Sequence, residues 1–194
     1  MTNKDRILEI SKKLGLSHIS SNLSCLPILE EIYEKKKPGD IVILDNAHAH
    51  LAHLVVKESK EWDEPMANAM IQQYGIHCDR KAGCDASGGS LGHGLGIGIG
   101  CAIANPDKQV YVVVSDGSMM EGSNWEALRI TSKMQLENIY IYCNFNGYTA
   151  VDEIDTNDLF FYKIRSFAPD LKISYFDTDN GEGFSGVQGH YKKL

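Results

Sequence analysis

The chain has 194 residues, of which 43% are hydrophobic and 23% are charged, and its formal net charge is −7. This length predicts one domain over residues 1–194, with a composition typical of a water-soluble globular protein. The negative charge argues against a nucleic-acid or anionic-membrane surface, because no basic field would attract phosphates. The sequence contains no apolar run of 18 residues and no signal-peptide core, so we expect a cytoplasmic protein.

Cysteine and histidine are the residue types whose numbers carry chemical information. Five cysteines without a CxxC pair argue against a disulfide framework and against a zinc site, and we expect reduced, mostly buried thiols. Any single histidine reads most simply as a surface or core residue, but several of the seven lie beside glycine or small residues, and together they suggest a site. The cysteines are Cys25, Cys78, Cys84, Cys101 and Cys143, and the histidines are His18, His48, His50, His53, His77, His93 and His190.

Hydrophobic periodicity, caps and helix breakers predict the elements in chain order. Helices are predicted at 4–14 with Asn3 as N-cap, from Pro27 to about Lys36, at 49–59 and 65–75, from about Ser123 with a Ser123–Glu126 capping box, and at 156–167. Strands are predicted at 41–44, 109–115, 138–144 and 172–178, and residues 76–90 form a long polar loop. Continuous apolar strands that alternate with helices predict a three-layer α/β/α fold around a mainly parallel sheet.

Five glycines recur at every second position from Gly92 to Gly100. A nucleotide-binding α/β protein would need a strand before its glycines and a third glycine at the right spacing, and both are missing. In a helix the five glycines cost roughly 4–5 kcal/mol relative to alanines. Something must therefore approach this backbone closely. One candidate is a ligand at the helix N-terminus. The other is a crossing helix, which would pack against the face shared by Gly92, Gly96 and Gly100.

Polar side chains follow two neighbouring strands. Asp116 ends the strand at 109–115, and Asn144 and Asn146 end the next one. Ligands bind beyond the carboxyl ends of the strands in open α/β sheets, so these loops should adjoin at a site. Carboxylate, amide and carbonyl oxygens suit Mg²⁺ or Ca²⁺, and Ser118 with the amides after Gly117 could meet a phosphate.

The spacing of these residues resembles a known motif. "SDG" and the asparagine of "NFNG", thirty residues after Asp116, resemble the thiamine-diphosphate motif, and "MMEGSNWEALRITSKMQLENIYIY" is similar to a helix and strand of the transketolase family. "SHISSNLSCLPILEEIY", "LDNAHAHLAH", "GIHCDRKAGCDASGGSLGHGL" and "NGEGFSGVQGHYKKL" resemble further segments of that family, in the same order. The resemblance implies a thiamine-diphosphate-binding fold of the diphosphate-binding type.

The same resemblance implies roles for individual residues. The metal would be held by Asp116, the side chain of Asn146 and the carbonyl of Tyr148. The diphosphate would be held by His48, Gly117 and His190, and the thiamine rings would meet the backbone of Leu91 and Gly92. His18, His48, His77 and His190 would surround the sugar, where imidazoles can donate to a developing alkoxide and move protons. Glu121 matches an acid at the contact between two subunits, although helix-start electrostatics explains it equally well.

Several positions depart from the family pattern. Ser115 replaces the first glycine of GDG, Asn46-Ala47 replaces Lys-Gly before His48, Cys78 replaces a proline, and His93 stands where glutamine is common. About forty residues of the family's length are absent before "NGEG". The roles of His190 and of the final strand are therefore the least secure.

The resemblance implies one half of a split enzyme. The catalytic glutamate of the family lies on a pyrimidine-binding domain, which we expect on a C-terminal partner subunit in a hetero-oligomer such as a heterotetramer. The implied reaction is transfer of a two-carbon ketol unit from a ketose (phosphate) to an aldose, with thiamine diphosphate and Mg²⁺. Two alternatives stay open: a 2-oxo acid decarboxylating subunit, which would have no use for the histidines, and a shortened non-catalytic scaffold partner.

Overall fold

A computed structural model of the chain describes residues 1–149, 151–154, 158–169, 172–177, 183–184 and 187–194. The helices are α1 (Asn3–Leu14), α2 (Ile19–Lys35), α3 (His50–Lys60), α4 (Ala67–Tyr74), α5 (Gly94–Ala104), α6 (Gly122–Met134), α7 (Asp158–Phe167) and α8 (Val187–Tyr191). The strands are β1 (Ile41–Leu44), β2 (Val110–Ser115), β3 (Ile139–Phe145) and β4 (Lys172–Asp177). Residues 156, 157 and 178, which the sequence places in the last predicted helix and strand, lie outside the described residues.

The four strands form one parallel sheet in the order β1-β2-β3-β4. Their register brings the ends of β2 and β3 together, with Ser115 opposite Asn144. Each strand is connected to the next by helices, as parallel pairing requires. The prediction of an α/β fold with helices on a parallel sheet is confirmed.

Two hydrophobic clusters cover the two faces of the sheet. Strand β2 divides its side chains between them: Val110, Val112 and Val114 face one cluster, and Tyr111 and Val113 face the other. The first cluster includes side chains of α5, α6 and α7, and the second includes side chains of α1, α2, α3 and α4. This burial on both faces explains why the strands are apolar without alternation.

The predicted start of α2 is wrong. The helix begins at Ile19, eight positions before Pro27, and Pro27 is an exposed residue inside it. The segment "SSNLS" before Pro27 looks like a loop in sequence, yet Ser20, Ser21, Asn22 and Ser24 are buried. Asn22 and Ser24 tolerate burial because their side chains bond to groups at the candidate site.

Two predicted caps are also wrong. Thr2 caps α1 in a reciprocal capping box with Asp5, whereas Asn3 is already helical. At α6 the N-cap is Glu121, and no side chain caps the helix. Ser123 instead donates its hydroxyl to the Gly92 carbonyl at 2.8 Å, and Glu126 pairs with Arg129 on the helix surface. Tertiary contact with the glycine-rich segment has replaced the local cap.

The loop at 76–90 is ordered by backbone bonds and by burial. Cys78 donates its N–H to the Ala47 carbonyl at 3.0 Å and accepts from Gly88, and a short 3-10 helix spans Arg80–Ala82. Four of the five cysteines are buried, as predicted. Among the helices that the structure describes, none is both long and apolar enough to cross a lipid bilayer.

Candidate functional site

A cavity lies beyond the carboxyl ends of β1, β2 and β3. The loops after these strands, the first turn of α2 and part of the loop at 76–90 form its wall. The lining residues are His18, Ser20, Ser21, Asn46, His48, His77, Gly89, Leu91, Ser115, Asp116, Gly117, Asn144, Asn146, Tyr148, Thr149, Phe184 and Tyr191. Most of the residues predicted from sequence for binding and catalysis are therefore brought together.

Asp116 lies at the centre of this wall and is only 1% exposed. Its carboxylate accepts three backbone N–H groups, from Gly117 at 2.9 Å, Asn146 at 2.9 Å and Gly147 at 2.7 Å. Burial nevertheless raises the pKa of Asp116 to about 6, against the opposing effect of these donors. The buried charge lacks full compensation, and a cation beside it would supply the rest.

The asparagines after β3 are held against α2. The Asn144 amide donates to Ser24 Oγ at 3.0 Å, and the Asn146 amide reaches the same oxygen at 3.5 Å. Asn146 Oδ1 accepts the N–H of Tyr148 at 3.1 Å, which closes the turn beside Asp116. Asp116, Asn146 and Tyr148 thus line one side of the cavity with hard oxygen donors, the donor set that Mg²⁺ or Ca²⁺ prefers.

Three histidines from separate segments meet in the lining of the same cavity. The His18 ring lies 5.3 Å from the His48 ring and 6.4 Å from the His77 ring, centroid to centroid, and Tyr191 packs edge-on against His18 at 5.9 Å. His18 has a φ of 62°, in the left-handed region that residues with a side chain seldom occupy. Such strain is typical of functional positions, and here it turns the ring into the cavity just before α2 begins.

Asn22 joins the loops that carry His18 and His48. Its amide donates to the His18 carbonyl at 2.8 Å and to the His48 carbonyl at 3.2 Å, while its oxygen accepts the N–H of Ala52 in α3 at 2.8 Å. The side chain is 4% exposed. Asn22 thereby sets the relative position of two cavity histidines without lining the cavity itself.

Asn46 places in this wall an amide that lies against the Cys25 thiol. The side chain is 1% exposed, and neither its nitrogen nor its oxygen has a hydrogen-bond partner of regular geometry among the described residues. A buried unpaired amide is costly, and such groups in native structures commonly await a ligand. The departure from the family pattern at this position therefore leaves a polar group available to a bound molecule.

The predicted cofactor contacts divide into two groups. His48, Leu91, Gly117 and Asn146 line the cavity. Gly92 and Ser118 lie behind the lining within the described chain: the Gly92 N–H donates to Asp45 and its carbonyl accepts from Ser123, while Ser118 bonds to Ser115 and Asn124. The contact of Gly92 and Ser118 with a cofactor stays a prediction.

Two further predicted residues lie near the cavity or at the surface. His190 belongs to α8, one position before the lining residue Tyr191, and its side chain lies outside what the structure describes. Glu121 is exposed at the start of α6, where its side chain passes close to Gly92. That position fits either of the two interpretations of Glu121.

Sequence reasoning missed Asp45, which organises the glycine-rich segment. Asp45 is 2% exposed, and its carboxylate accepts the N–H of Gly92 at 2.9 Å, the N–H of Gly94 and the amide of Asn124 at 3.1 Å. Asp45 follows β1 just as Asp116 follows β2, and that parallel is the signal that could have revealed it.

Of the three glycines that the sequence selected for close approach, only Gly92 is needed for it: a Cβ there would lie 2.5 Å from Ser123 Oγ at the start of α6. A Cβ on Gly94 would lie 2.6 Å from Asp45 Cα, and one on Gly98 would lie 2.4 Å from Val112 Cγ2. A Cβ on Gly96 or Gly100 would meet nothing within 4 Å in the described chain, so the helix contact predicted for these two positions is not made there. Gly94 and Gly98 instead let α5 lie directly on the sheet.

Comparison with known proteins agrees with this geometry. Residues 66–175 match the family described as thiamine pyrophosphate enzyme, C-terminal TPP binding domain. The chain is 28% identical over 156 residues to an apulose-4-phosphate transketolase subunit of Phocaeicola vulgatus, covering 71% of this chain and 56% of that protein. It is 27% identical over 167 residues to 6-deoxy-6-sulfo-D-fructose transketolase subunit SqwG of a Clostridium species, covering 73% and 61%.

A solved structure shares the fold. Transketolase from Leishmania mexicana superposes with a TM-score of 0.73 at 19% identity, over 86% of this chain and 30% of that one. The chain belongs to the transketolase family of thiamine pyrophosphate enzymes and contains their TPP-binding domain. It spans little more than half the length of the two curated subunits that it matches.

Proposed function

We propose that the chain is the diphosphate-binding subunit of a two-subunit transketolase. With thiamine diphosphate and Mg²⁺ it would transfer a two-carbon ketol unit from a ketose, or ketose phosphate, to an aldose. The observation that carries the proposal is the presence, in one cavity, of an oxygen donor set centred on Asp116 and a wall of three histidines. The first suits a metal-bound diphosphate, and the second suits a substrate with several hydroxyls.

The oxygen side of the cavity fits the cofactor and its metal. Asp116, Asn146 and the Tyr148 carbonyl would hold Mg²⁺ (or Ca²⁺), whose remaining positions go to diphosphate oxygens and water. His48 and the backbone at Gly117 would meet the diphosphate, and Leu91 would lie along the thiamine rings. Once bound, thiamine diphosphate supplies the carbon nucleophile that carries a two-carbon unit between sugars.

The histidine side of the cavity would bind and orient the sugar. Imidazoles at His18, His48 and His77 can donate to the carbonyl oxygen of a ketose and accept from its hydroxyls. Negative charge develops on that oxygen during the reaction. An imidazole donor that already points at it lowers the activation barrier, because the site does not have to reorganise first. His190 would join this wall from α8. A 2-oxo acid offers no row of hydroxyls to such a wall.

A second chain would complete the site. Both curated relatives named above are called subunits, which supports a separate chain as the source of the pyrimidine-binding domain and its glutamate. The face of α5 with Gly96 and Gly100 has nothing of the described chain close to it, and Ile97 and Ile103 on the helix are 39% and 47% exposed. Such a face would admit the close approach of a second chain.

The experiment pairs this chain with a pyrimidine-binding transketolase subunit from the same genome. The mixture should cleave a ketose phosphate and pass the two-carbon unit to an aldose, while either chain by itself should be nearly inactive. Faster turnover of pyruvate than of any ketose would assign a 2-oxo acid decarboxylating subunit. Full ketol transfer by this chain alone would refute the split enzyme, and a complex without either activity would indicate a scaffold.

A further inference from the structure

A second cluster of chemically capable side chains lies between α3 and the loop at 76–90. The ligand atoms of His53, Cys78 and Cys84 all lie within 4.8 Å of one another. The three residues are buried, with exposures of 1%, 5% and 6%. None of them lines the cavity described above, so the transketolase chemistry leaves the cluster unexplained.

His50 adds a fourth group to this cluster. It lies three residues before His53, on the same face of α3, and is fully buried. Its Nδ1 is bonded to the Gly75 carbonyl at 3.0 Å, whereas its Nε2 has no regular hydrogen-bond partner in the part of the chain that the structure describes. The ring lies within hydrogen-bonding reach of Cys84, although it is outside the set of three whose ligand atoms are all within 4.8 Å of one another.

Both histidines are held in the manner of metal ligands. A ligating imidazole usually bonds through its second nitrogen to a carbonyl, carboxylate or other polar group, which fixes the ring. The Gly75 carbonyl does this for His50, and the Tyr33 hydroxyl does it for His53 Nε2 at 2.8 Å. His53 Nδ1 is left 3.7 Å from Cys84 Sγ.

The charges of the candidate ligands match a divalent cation. A divalent ion with two thiolates and two neutral imidazoles is electrically neutral, and nitrogen with sulfur in a closed tetrahedral set is typical of structural zinc.

We propose that His50, His53, Cys78 and Cys84 form a structural binding site for Zn²⁺. Tetrahedral zinc with bonds of about 2.3 Å to sulfur and 2.0–2.1 Å to nitrogen places its ligand atoms roughly 3.3–3.8 Å apart. The ligand atoms of His53, Cys78 and Cys84, which lie within 4.8 Å of one another, therefore need to approach by only about 1 Å, and the His50 ring would move in to complete the set. Binding would release the protons of the two thiols.

The site would join the loop at 76–90 to α3. Cys78 directly follows His77, and its N–H donates to Ala47, the residue before His48. Zinc would thereby fix the backbone of two cavity histidines without touching the substrate. The lack of a CxxC pair in the sequence argued against zinc. The fold instead brings together two histidines spaced HxxH on α3 and two cysteines of the loop at 76–90.

The wild-type chain provides the first test. Purified under reducing conditions without chelator, it should contain one zinc per chain by inductively coupled plasma mass spectrometry, and X-ray absorption should show two sulfur and two nitrogen neighbours. Replacement by Co²⁺ should produce a thiolate-to-cobalt charge-transfer band. A reduced chain that takes up no zinc from a stoichiometric excess, or a Cys78–Cys84 disulfide in the native protein, would overturn the proposal.

Variants identify the ligands. Cys84→Ser should lose bound zinc, whereas Cys101→Ser, which alters a cysteine outside the cluster, should retain it. Asp116→Ala should also retain zinc, which separates this site from the proposed cofactor metal. Circular dichroism checks that each variant is folded. If Cys84→Ser does not fold, the number of sulfur and nitrogen neighbours that X-ray absorption finds in the wild-type site identifies the ligands instead. Full zinc content in a folded Cys84→Ser chain would contradict the assignment.

Discussion

The N–H of Asn146 donates to Asp116 Oδ2 at 2.9 Å, across the carboxyl ends of β2 and β3. The two residues are separated by thirty positions in sequence, and the parallel register of their strands brings them together. Since the bond uses the Asn146 backbone, the amide side chain stays beside the carboxylate in the cavity wall. This pair places an anion and a neutral oxygen donor where a metal-bound diphosphate would lie.

The raised pKa of Asp116 predicts a pH-dependent stability in the metal-free chain. Because the folded-state pKa is about 6 and the ordinary value is 3.8, the protonated carboxyl stabilises the fold at low pH, and this contribution is lost as the pH rises from about 4 to about 6. The loss amounts to at most about 3 kcal/mol. Urea unfolding of wild type and Asp116→Asn should therefore diverge across this range, in favour of the variant.

The test is how the difference between the two free energies of unfolding changes with pH. Asparagine changes the hydrogen bonds at every pH, so only the slope of the difference between the two free energies of unfolding counts. Saturating Mg²⁺ with thiamine diphosphate should flatten the slope, because the cation compensates the carboxylate. A difference that is constant from pH 4 to pH 7 without ligand would show that Asp116 titrates normally.

Asn22 should be a positioning residue for the histidine wall. Asn22→Ala removes the side chain that ties the His18 and His48 carbonyls to α3, and we expect a loss of about 1–3 kcal/mol in the free energy of unfolding. In the proposed two-subunit enzyme, KM for the ketose should rise while the affinity for thiamine diphosphate changes less. Asn68→Ala is the matched control, since its amide oxygen has no partner among the described residues. Equal effects of both variants would contradict the role.

Asp45 should stabilise the start of α5. Its buried carboxylate accepts hydrogen bonds from the Gly92 N–H, the Gly94 N–H and the Asn124 amide. The NH2 group of an asparagine at this position would face one of these N–H groups, and that hydrogen bond would be lost. Asp45→Asn should therefore cost about 1–3 kcal/mol of unfolding free energy, measured in urea. Asp107→Asn, on the exposed turn after α5, should cost almost nothing. An unchanged free energy of unfolding in Asp45→Asn would show that the start of α5 does not depend on this carboxylate.

Two glycines of α5 form a matched pair. Gly98→Ala places a methyl group 2.4 Å from Val112 Cγ2 and should destabilise the chain by about 1–3 kcal/mol through overpacking. Gly96→Ala adds a methyl group in open space and should stabilise the helix by roughly 0.5–1 kcal/mol. Thermal unfolding of the two variants checks the order. The opposite order would mean that α5 packs through its other face.

The parallel sheet and the Asp116–Asn146 pair were predictable because their signals are local. Apolar strands, a strand-end acid and a fixed spacing can all be read along the chain. The start of α2 was not predictable, because Asn22 and Ser24 become acceptable in a buried helix through partners far away in sequence. The same holds for Asp45, whose partners are 47 to 79 positions away. Long-range hydrogen bonds overrode the local pattern at Ser123 as well.

Binding of thiamine diphosphate in the presence and absence of Mg²⁺ tests the central claim most directly. Isothermal titration of the complex with its partner subunit should give Mg²⁺-dependent binding for wild type, a loss of at least about tenfold for Asp116→Ala, and wild-type affinity for Asp107→Ala; tenfold corresponds to about 1.4 kcal/mol. That outcome is expected because Asp116 supplies the only carboxylate on the described cavity wall. Equal, metal-independent binding by wild type and Asp116→Ala would contradict it.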